Sequence, residues 1–431
     1  MGKQSTTTTT IFAAIQWLGF MFANTVVIPL SVGAAFHMSP VALSGAMARS
    51  FMITGIACLI QGMVGHRLPL MEGQSGLWWG VLLNLAATGS AAGLGISEIG
   101  GSVAVGMILG GLALMLAGAF GLHKFLNRLF TPIVMAVLLL LLAAQLIDIF
   151  FEGMMGLNQG HIILPKVALL SLLLVVLVSY LTIGVRGVVS NFSILIGLAL
   201  GWVVYDVWIG GTSSVALPEW SEITRLFAWG KPAYSAGILI ACVITALINT
   251  TNTIATLRAA EPVFDVQIND SIYRRSLLFS GAFTVISGPL SLVAYAPYTS
   301  SIGFLRTTRI LARAPFLLGA ALFVVLGAVP HLAAWFATLP VSVGDSVLFV
   351  AYLQLFGSAL QNIRGIEFNF RTIFRLAPAV LTGLAVLATP KAAFSSLPPM
   401  AQSILGNGML DGIILATILE AVIPWQRLNQ V

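Results

Sequence analysis

Long apolar stretches recur along the whole chain, each close to the roughly 20 residues that a membrane-crossing helix needs. Clear examples are Ile11–Leu30, Pro132–Ile147, Val167–Val185, Val188–Tyr205 and Ser235–Ile254. The pattern predicts about fourteen segments, near 11–31, 41–64, 71–90, 100–120, 131–150, 166–185, 188–209, 235–256, 276–293, 294–309, 314–336, 341–358, 372–389 and 407–424. Two of them do not read as plain helices. Met71–Ser75 and Val293–Ser301 start extended, with Gly, Pro, Ser and Tyr, before an apolar stretch follows. Interrupted segments in matching places point to the binding site of a solute carrier.

The sequence also echoes itself. Phe22-Ala23-Asn24-Thr25-Val26 in the first segment resembles Thr250-Thr251-Asn252-Thr253-Ile254 in the eighth, each two segments before an interrupted one. Arg128-Leu129-Phe130-Thr131-Pro132 after the fourth segment resembles Phe336-Ala337-Thr338-Leu339-Pro340 after the eleventh. These echoes predict two seven-segment repeats, and an odd number of crossings makes the second repeat inverted. The expected organisation is a tail over 1–10, a first repeat over 11–210, an extracytoplasmic connection over 211–234, a second repeat over 235–424 and a tail over 425–431.

Composition excludes a soluble globule. Of 431 residues, 58% are hydrophobic and only 8% charged, with a mean hydropathy of +1.00; soluble domains carry about a quarter charged residues. The formal charge of +6 is spread over short loops, which argues against nucleic acid as a partner. With the N-terminus inside, the inner face receives 15 of the 20 basic residues: Lys3, Arg67, Lys124, Arg128, Arg186, Arg258, Arg274, Arg275, Arg306, Arg309, Arg313, Arg364, Arg371, Arg375 and Arg427. Arg49, Lys166, Arg225, Lys231 and Lys391 fall outside. That bias places both termini in the cytoplasm of a multi-pass protein of the inner or plasma membrane. Gln16, Asn24 and Thr25 interrupt the first apolar run, so a retained helix is expected rather than a cleaved signal. Cys58 and Cys242 fall inside segments and read as packing residues.

Polar groups at membrane depth are costly and need a reason. Four clusters stand out: Gln16, Asn24 and Thr25; the pentad Asn249-Thr250-Thr251-Asn252-Thr253; Glu72-Gly73-Gln74-Ser75-Gly76; and Ala296-Pro297-Tyr298-Thr299-Ser300-Ser301-Ile302-Gly303. Interhelical hydrogen bonding accounts for a single Asn or Thr; five consecutive polar residues cannot all face one neighbour, so part of the pentad is expected to face a cavity. Trp78 and Trp79 suit either stacking on a planar ring or the interfacial belt, the belt being expected for at least one. Asp345 reads as an interfacial helix cap, Arg306 and Arg309 as rim residues, and Arg49 as snorkelling or paired with an acid. Asp411 and Glu420 are open. Gly106, Gly110 and Gly111 suggest close helix packing. An embedded enzyme would need a nucleophile with its base, or a metal cluster; His37, His66, His123, His161 and His331 lie near segment ends, away from the polar clusters. Neither a catalytic residue, a metal nor an organic cofactor is expected.

At these residues the chain resembles the nucleobase–ascorbate transporters, or second nucleobase:cation symporter family, of which it looks most like a purine-permease-like subgroup. The likeness runs through Gln16-Trp17 and Thr25-Val26-Val27-Ile28-Pro29, through Gly73-Gln74-Ser75-Gly76, and through the stretches starting at Ile248 and Ala296. Three positions depart from the family pattern: Trp17 replaces a histidine, and Asn249 and Ser300 replace glutamates. The resemblance implies an all-α polytopic fold of fourteen segments in two inverted repeats. Segments one to four and eight to eleven would form a core and the other six a gate, with short antiparallel strands from segments three and ten crossing at the midplane. It implies alternating-access transport of a nucleobase, a purine or uracil or xanthine, or else of another small planar polar solute. The expected ligand-binding residues are Gln16, Asn24, Gly73, Gln74, Ser75, Gly76, Asn249, Asn252, Tyr298, Thr299, Ser300 and Ser301. Transport is expected to be either uncoupled facilitation or coupled to H+ through Glu72, unless Glu72 merely sits at the cytoplasmic interface beside Arg67. Coupling to Na+ would draw on the oxygens of Thr250, Thr251 and Ser301. The expected surroundings are the lipid bilayer and, as an open question, a second copy of the chain.

Overall fold

The computed structural model describes residues 7–91, 93–122, 125, 129–157, 162–185, 188–210, 216–394 and 396–425. Lys3, Lys124, Arg128, Arg186, Arg427, His123 and His161 lie outside them, as do residues 211–215 of the connection and most of both tails. Eight helices among the described residues are long and apolar enough to cross a membrane, or nine if one bent pair is counted as a span.

The first half contains α1 (Thr7–Thr25), α2 (Val27–Ala35), α3 (Pro40–Met63), β1 (Glu72–Gln74), α4 (Gly76–Ala91), α5 (Ile96–Ala119), α6 (Pro132–Met155), α7 (Pro165–Ile183) and α8 (Ser193–Trp208). The second contains α9 (Ala236–Phe264), α10 (Asp270–Leu290), β2 (Tyr295–Pro297), α11 (Ser300–Thr308), α12 (Arg313–Ala328), α13 (Val341–Asn362), α14 (Phe370–Ala388) and α15 (Gly408–Val422). Local chemistry sets many of the ends. Ser39 caps α3 and Thr131 caps α6, each followed by a proline that starts the helix, where its missing N–H costs nothing. Gly156 ends α6 in the left-handed conformation, at φ 74°. The first segment runs on through Val26, which keeps helical dihedrals, with a turn in the hydrogen-bond ladder that its apolar pattern does not reveal. Pro29 has no N–H for the carbonyl of Thr25 four residues back, so the ladder restarts in α2.

Packing repeats itself between the halves. In the core, α5 lies on α9 and α10, as α12 lies on α1 and α3. In the gate, α6 packs on α13; α13 also packs on α7 and α8, and α6 on α14 and α15. Each pairing has its counterpart in the other half, which is the signature of the inverted repeat. Small residues let the core backbones meet. A Cβ added at Gly111 would stand 2.7 Å from the carbonyl oxygen of Gly281, and one at Gly55 would stand 2.7 Å from that of Ala320. Gly106 and Gly110 lie equally close to Cys242 and Ala246.

The connection between the halves is fastened to the core. Arg49 is buried in α3 and does not snorkel; the Glu222 carboxylate attracts it from nearby, and its hydrogen bonds go to backbone carbonyls. Its Nε donates to the carbonyl of Leu290 at 2.9 Å, and its Nη1 to those of Glu222 at 2.5 Å and Ile223 at 3.4 Å. The Phe227 N–H donates to the Pro289 carbonyl at 2.6 Å, the Trp229 N–H to Ser291 Oγ at 3.2 Å, and the Trp229 ring stacks on Phe36 with centroids 5.0 Å apart.

Two more expectations need correction in the gate. Asp345 is not an interfacial cap: Pro340 occupies the N-cap of α13, and Asp345 lies inside the helix, 1% exposed, with its Oδ2 against Gly153 of α6. Glu420 of α15 takes a two-pronged ion pair from Arg375 of α14, at 2.6 and 2.7 Å, and a hydrogen bond from Thr131 Oγ1 at 3.0 Å. Along α7 and α8, Leu169, Leu172, Leu173, Val176, Val203 and Val207 stay exposed, an apolar surface suited to lipid.

Candidate functional site

β1 and β2 meet antiparallel, with Glu72 opposite Pro297, Gly73 opposite Ala296 and Gln74 opposite Tyr295. The Tyr298 N–H donates to the Met71 carbonyl at 2.8 Å and the Ser75 N–H to the Ala294 carbonyl at 2.8 Å, extending the ladder at both ends. Each strand runs straight into a helix, β1 into α4 and β2 into α11. Helix starts leave backbone N–H groups without intrahelical partners; at α11 the Ser301 and Ile302 N–H groups turn back to the Tyr298 and Thr299 carbonyls at 3.1 and 3.0 Å, so the free donors expected at the crossing are those that open α4.

Asn249 ties the crossing to α9. Its Oδ1 accepts from Ser75 Oγ at 2.8 Å and from Asn252 Nδ2 at 2.9 Å, while its Nδ2 donates to the Tyr295 carbonyl at 3.0 Å. Asn249 is thus largely committed to protein partners, and Asn252, half-buried one turn on, is the side chain of the pentad that reaches the open side. Thr250 donates back to the Leu247 carbonyl at 2.7 Å. One turn further, Thr256 lies 2.7 Å from Thr299 Oγ1 and 3.2 Å from the Pro297 carbonyl.

The expected ligand residues therefore divide into three groups. Ser75 and Gly76 stand with Asn249 and Asn252 where β1 passes into α4, and Thr299 and Ser300 stand beside Thr256 where β2 passes into α11. Gly73 and Tyr298 complete the crossing: the Tyr298 ring covers Gly73, where a Cβ would stand 3.1 Å from ring carbon Cε1, and its hydroxyl donates to the Gln74 carbonyl. Ser301 is buried, and its Oγ accepts from the Met71 N–H at 3.1 Å. The remainder lie outside these groups. The Gln74 side chain, 1% exposed, turns to the rear of the core beside Trp229 and Ser291. Asn24 spends its Nδ2 on the Phe20 carbonyl at 2.8 Å, while its own carbonyl borders the crossing, accepting from the Tyr298 hydroxyl at 3.4 Å. Gln16 lies eight residues before Asn24 on α1, about 12 Å along a helix axis. The oxygens of Thr250 and Ser301 have separate partners, on α9 and at the start of β1.

The tryptophans belong to the interior. Trp78 and Trp79 are both 0% exposed, which corrects the belt expectation. Trp79 Nε1 donates to Ser31 Oγ at 2.7 Å, and its ring lies 5.3 Å from Phe150 and 6.2 Å from Tyr352 of the gate. A Cβ on Gly76 would stand 3.4 Å from the Tyr352 ring. This aromatic group joins core to gate on one side of the crossing. The other side is open: Thr299, Ser300, Gly303 and Arg306 form an exposed row along α11, and a Cβ added at Gly303 would meet nothing. Tyr352 escaped the sequence reading because nothing in its apolar surroundings marks it; its place is set by α13 packing on α6.

Glu72 is not at the interface beside Arg67. It is 0% exposed, and its Oε1 accepts from Ser280 Oγ of α10 at 2.5 Å. Ser280 Oγ in turn accepts from Gln61 Nε2 at 3.1 Å. Gln61, Ser276 and Ser280 were passed over in sequence, although polar groups at that depth in α3 and α10 carry the same signal as the pentad.

Residues 8–392 match a family described as the permease family, Xan_ur_permease. A provisionally named purine permease of Bacillus subtilis, YwdJ, is 27% identical, the alignment covering 97% of this chain and 96% of that protein. The uric acid permease PucK of Bacillus subtilis is 21% identical, with 100% and 99% covered. Among solved structures, the transmembrane domain of a cyanobacterial bicarbonate transporter, BicA, matches with a TM-score of 0.65 at 15% identity, covering 92% of this chain and 96% of that one. The core-and-gate fold is shared with that carrier.

Proposed function

The chain belongs to the permease family Xan_ur_permease, within the nucleobase–ascorbate transporters, and on that premise we propose that it carries a purine, or xanthine or uracil, by alternating access. It is a transporter and not an enzyme. The observation that carries the reading is a pair of strand-to-helix junctions, one from each half, at the two ends of an antiparallel crossing along α9: Ser75 and Gly76 beside Asn249, Asn252 and the gate residue Tyr352, and Thr299 beside Thr256. Such a site moves relative to the gate without losing its own hydrogen bonds.

The chemistry on offer selects the ligand class. Backbone N–H groups at the start of α4, the Asn252 amide and the Ser300 hydroxyl suit the carbonyl oxygens and ring nitrogens of an oxopurine. Asn249 and Ser300 bring no charge to it, so no cationic centre is demanded of the ligand. The names of YwdJ and PucK point to the same class.

The bias of basic residues puts Arg258, Arg306 and Arg309 on the cytoplasmic side. All three are exposed, which on this reading makes their end of α9 and α11 the cytoplasmic one. The test is uptake of radiolabelled xanthine and uric acid by cells expressing the chain, with unlabelled purines and pyrimidines as competitors. Competition by purines at micromolar concentration is expected. Uptake that no nucleobase inhibits would overturn the reading, in favour of another planar solute bearing an amide.

A further inference from the structure

Two carboxyl-bearing residues are fully buried among the described residues, Glu72 and Asp345. Asp345 belongs to the gate, whereas Glu72 sits on the strand that leads into Ser75 and Gly76. Side chains alternate along a strand, so Glu72 faces the rear of the crossing, away from the ligand. Three elements surround it there. From α3 come Thr54, Cys58 and Gln61; from α10 come Ser276 and Ser280; and from β2 comes Tyr295, whose hydroxyl lies 3.0 Å from Thr54 Oγ1. The titratable groups in this set are Cys58 and Tyr295, and no Lys, Arg or His accompanies them. His66, in the turn after α3, is buried and pushed down to about 3 by that burial, so it supplies no positive charge near neutral pH.

Several hydrogen-bonding atoms around Glu72 lack a partner. Glu72 Oε2, Gln61 Oε1 and Ser276 Oγ are all buried without a partner. They lie along a file from Glu72 through Ser280 and Gln61 towards the end of α3, where the Arg67 N–H donates to the Gln61 carbonyl at 3.0 Å and Met63 and Val64 are exposed. An ionised carboxylate without a cation is costly at such depth, and a bound proton removes the charge. The side chains that face the ligand, Asn249, Asn252 and Ser300, do not titrate in the accessible range.

We propose that Glu72 binds the co-transported proton from behind β1, and that the polar file through Ser280, Gln61 and Ser276 is its route to the cytoplasmic surface. The proton leaves one carboxyl oxygen for water at that surface, and the carboxylate left behind keeps the Ser280 hydrogen bond. Because the Cys58 thiol bridges the N–H and carbonyl of Glu72 at 3.3 Å each, the change in charge bears on β1 and hence on the helix start at Gly76. The proposal rests on the transport reading above.

The test uses the purified full chain in proteoliposomes with radiolabelled xanthine and uric acid. An inward proton gradient of one pH unit drives up to about tenfold accumulation of a neutral ligand at one proton per ligand. Wild type is expected to accumulate at least about fivefold. Glu72→Gln is expected to stay within about twofold of equilibrium while exchange without a gradient remains within about threefold of wild type. Accumulation that survives in Glu72→Gln, that follows sodium, or that is lost instead in Asp345→Asn overturns the proposal. A second readout needs no transport. The infrared spectrum of the protein should show a carboxylic-acid C=O band that rises as pH falls, shifts in Ser280→Ala, and is absent in Glu72→Gln. A spectrum unchanged by both substitutions also overturns it. If wild type exchanges neither purine, the substrate reading fails and the infrared comparison still decides Glu72.

Discussion

Ser75 Oγ donates to Asn249 Oδ1 at 2.8 Å, joining residues 174 positions apart and fixing the start of α4 to the middle of α9. The bond makes the candidate site a joint product of both halves. It also defines what Asn249 does, since this side chain holds the frame of the site together through Ser75, Asn252 and the Tyr295 carbonyl.

Asn249→Leu should therefore cost both uptake and stability. Ser75, Asn252 and the Tyr295 carbonyl would each lose a buried partner, at about 1–3 kcal/mol apiece. Uptake normalised to membrane protein should fall more than about tenfold, and the thermal midpoint in detergent should drop. Unchanged values for both would separate Asn249 from the site.

Gly76→Phe and Ser300→Leu should leave the fold intact and stop transport. Gly76 has room for little beyond a Cβ before the Tyr352 ring, so a phenyl group would wedge core and gate apart. Ser300 is exposed, and a leucine there buries nothing in the folded core. Gly76→Ala, at ordinary contact distance, should keep most activity. Wild-type uptake by both of the larger variants would place the ligand elsewhere.

Arg375→Met should destabilise more than the double change Arg375→Met with Glu420→Met. Glu420 is 6% exposed in its side chain and Arg375 23%. Removing the arginine alone strands a nearly buried carboxylate, at up to about 3–5 kcal/mol, reduced here by the partial exposure of the pair. Thermal unfolding of the three proteins in one detergent measures the difference, and equal midpoints would show that the pair contributes nothing.

A reporter fused after Val431 should read as cytoplasmic, as should one fused before Met1. Their agreement tests the even number of crossings, and a C-terminal reporter on the opposite side would break the fourteen-segment reading.

The segments were legible because the lengths of apolar runs report directly on the bilayer, and the interrupted ones because Gly, Pro and Ser cluster at Met71–Ser75 and Val293–Ser301. What a side chain faces was harder. A three-residue strand is too short for alternation to show that Glu72 and Gln74 turn to the rear. Trp78 and Trp79 have the composition of a belt, and only tertiary packing takes them inside, Trp79 against Phe150 of α6 and Tyr352 of α13. The partners of Arg49 are backbone carbonyls 173 and 241 residues away, which no local pattern announces. Asp345 stands near a segment start in sequence, yet the helix begins at Val341 and carries it inward.

The fastening of residues 222–229 to α3 and α10 has a consequence for the path of the ligand. That stretch is held by Arg49, Phe227 and Trp229 to the same body that carries the strand crossing, so it travels with the cargo as a fixed roof. A roof that rides along cannot be the door. On the proposed alternating-access reading, release on that side is then lateral, along the seam where Trp79 of the core faces Phe150 and Tyr352 of the gate, and the bulk of those three rings would limit how wide a solute passes.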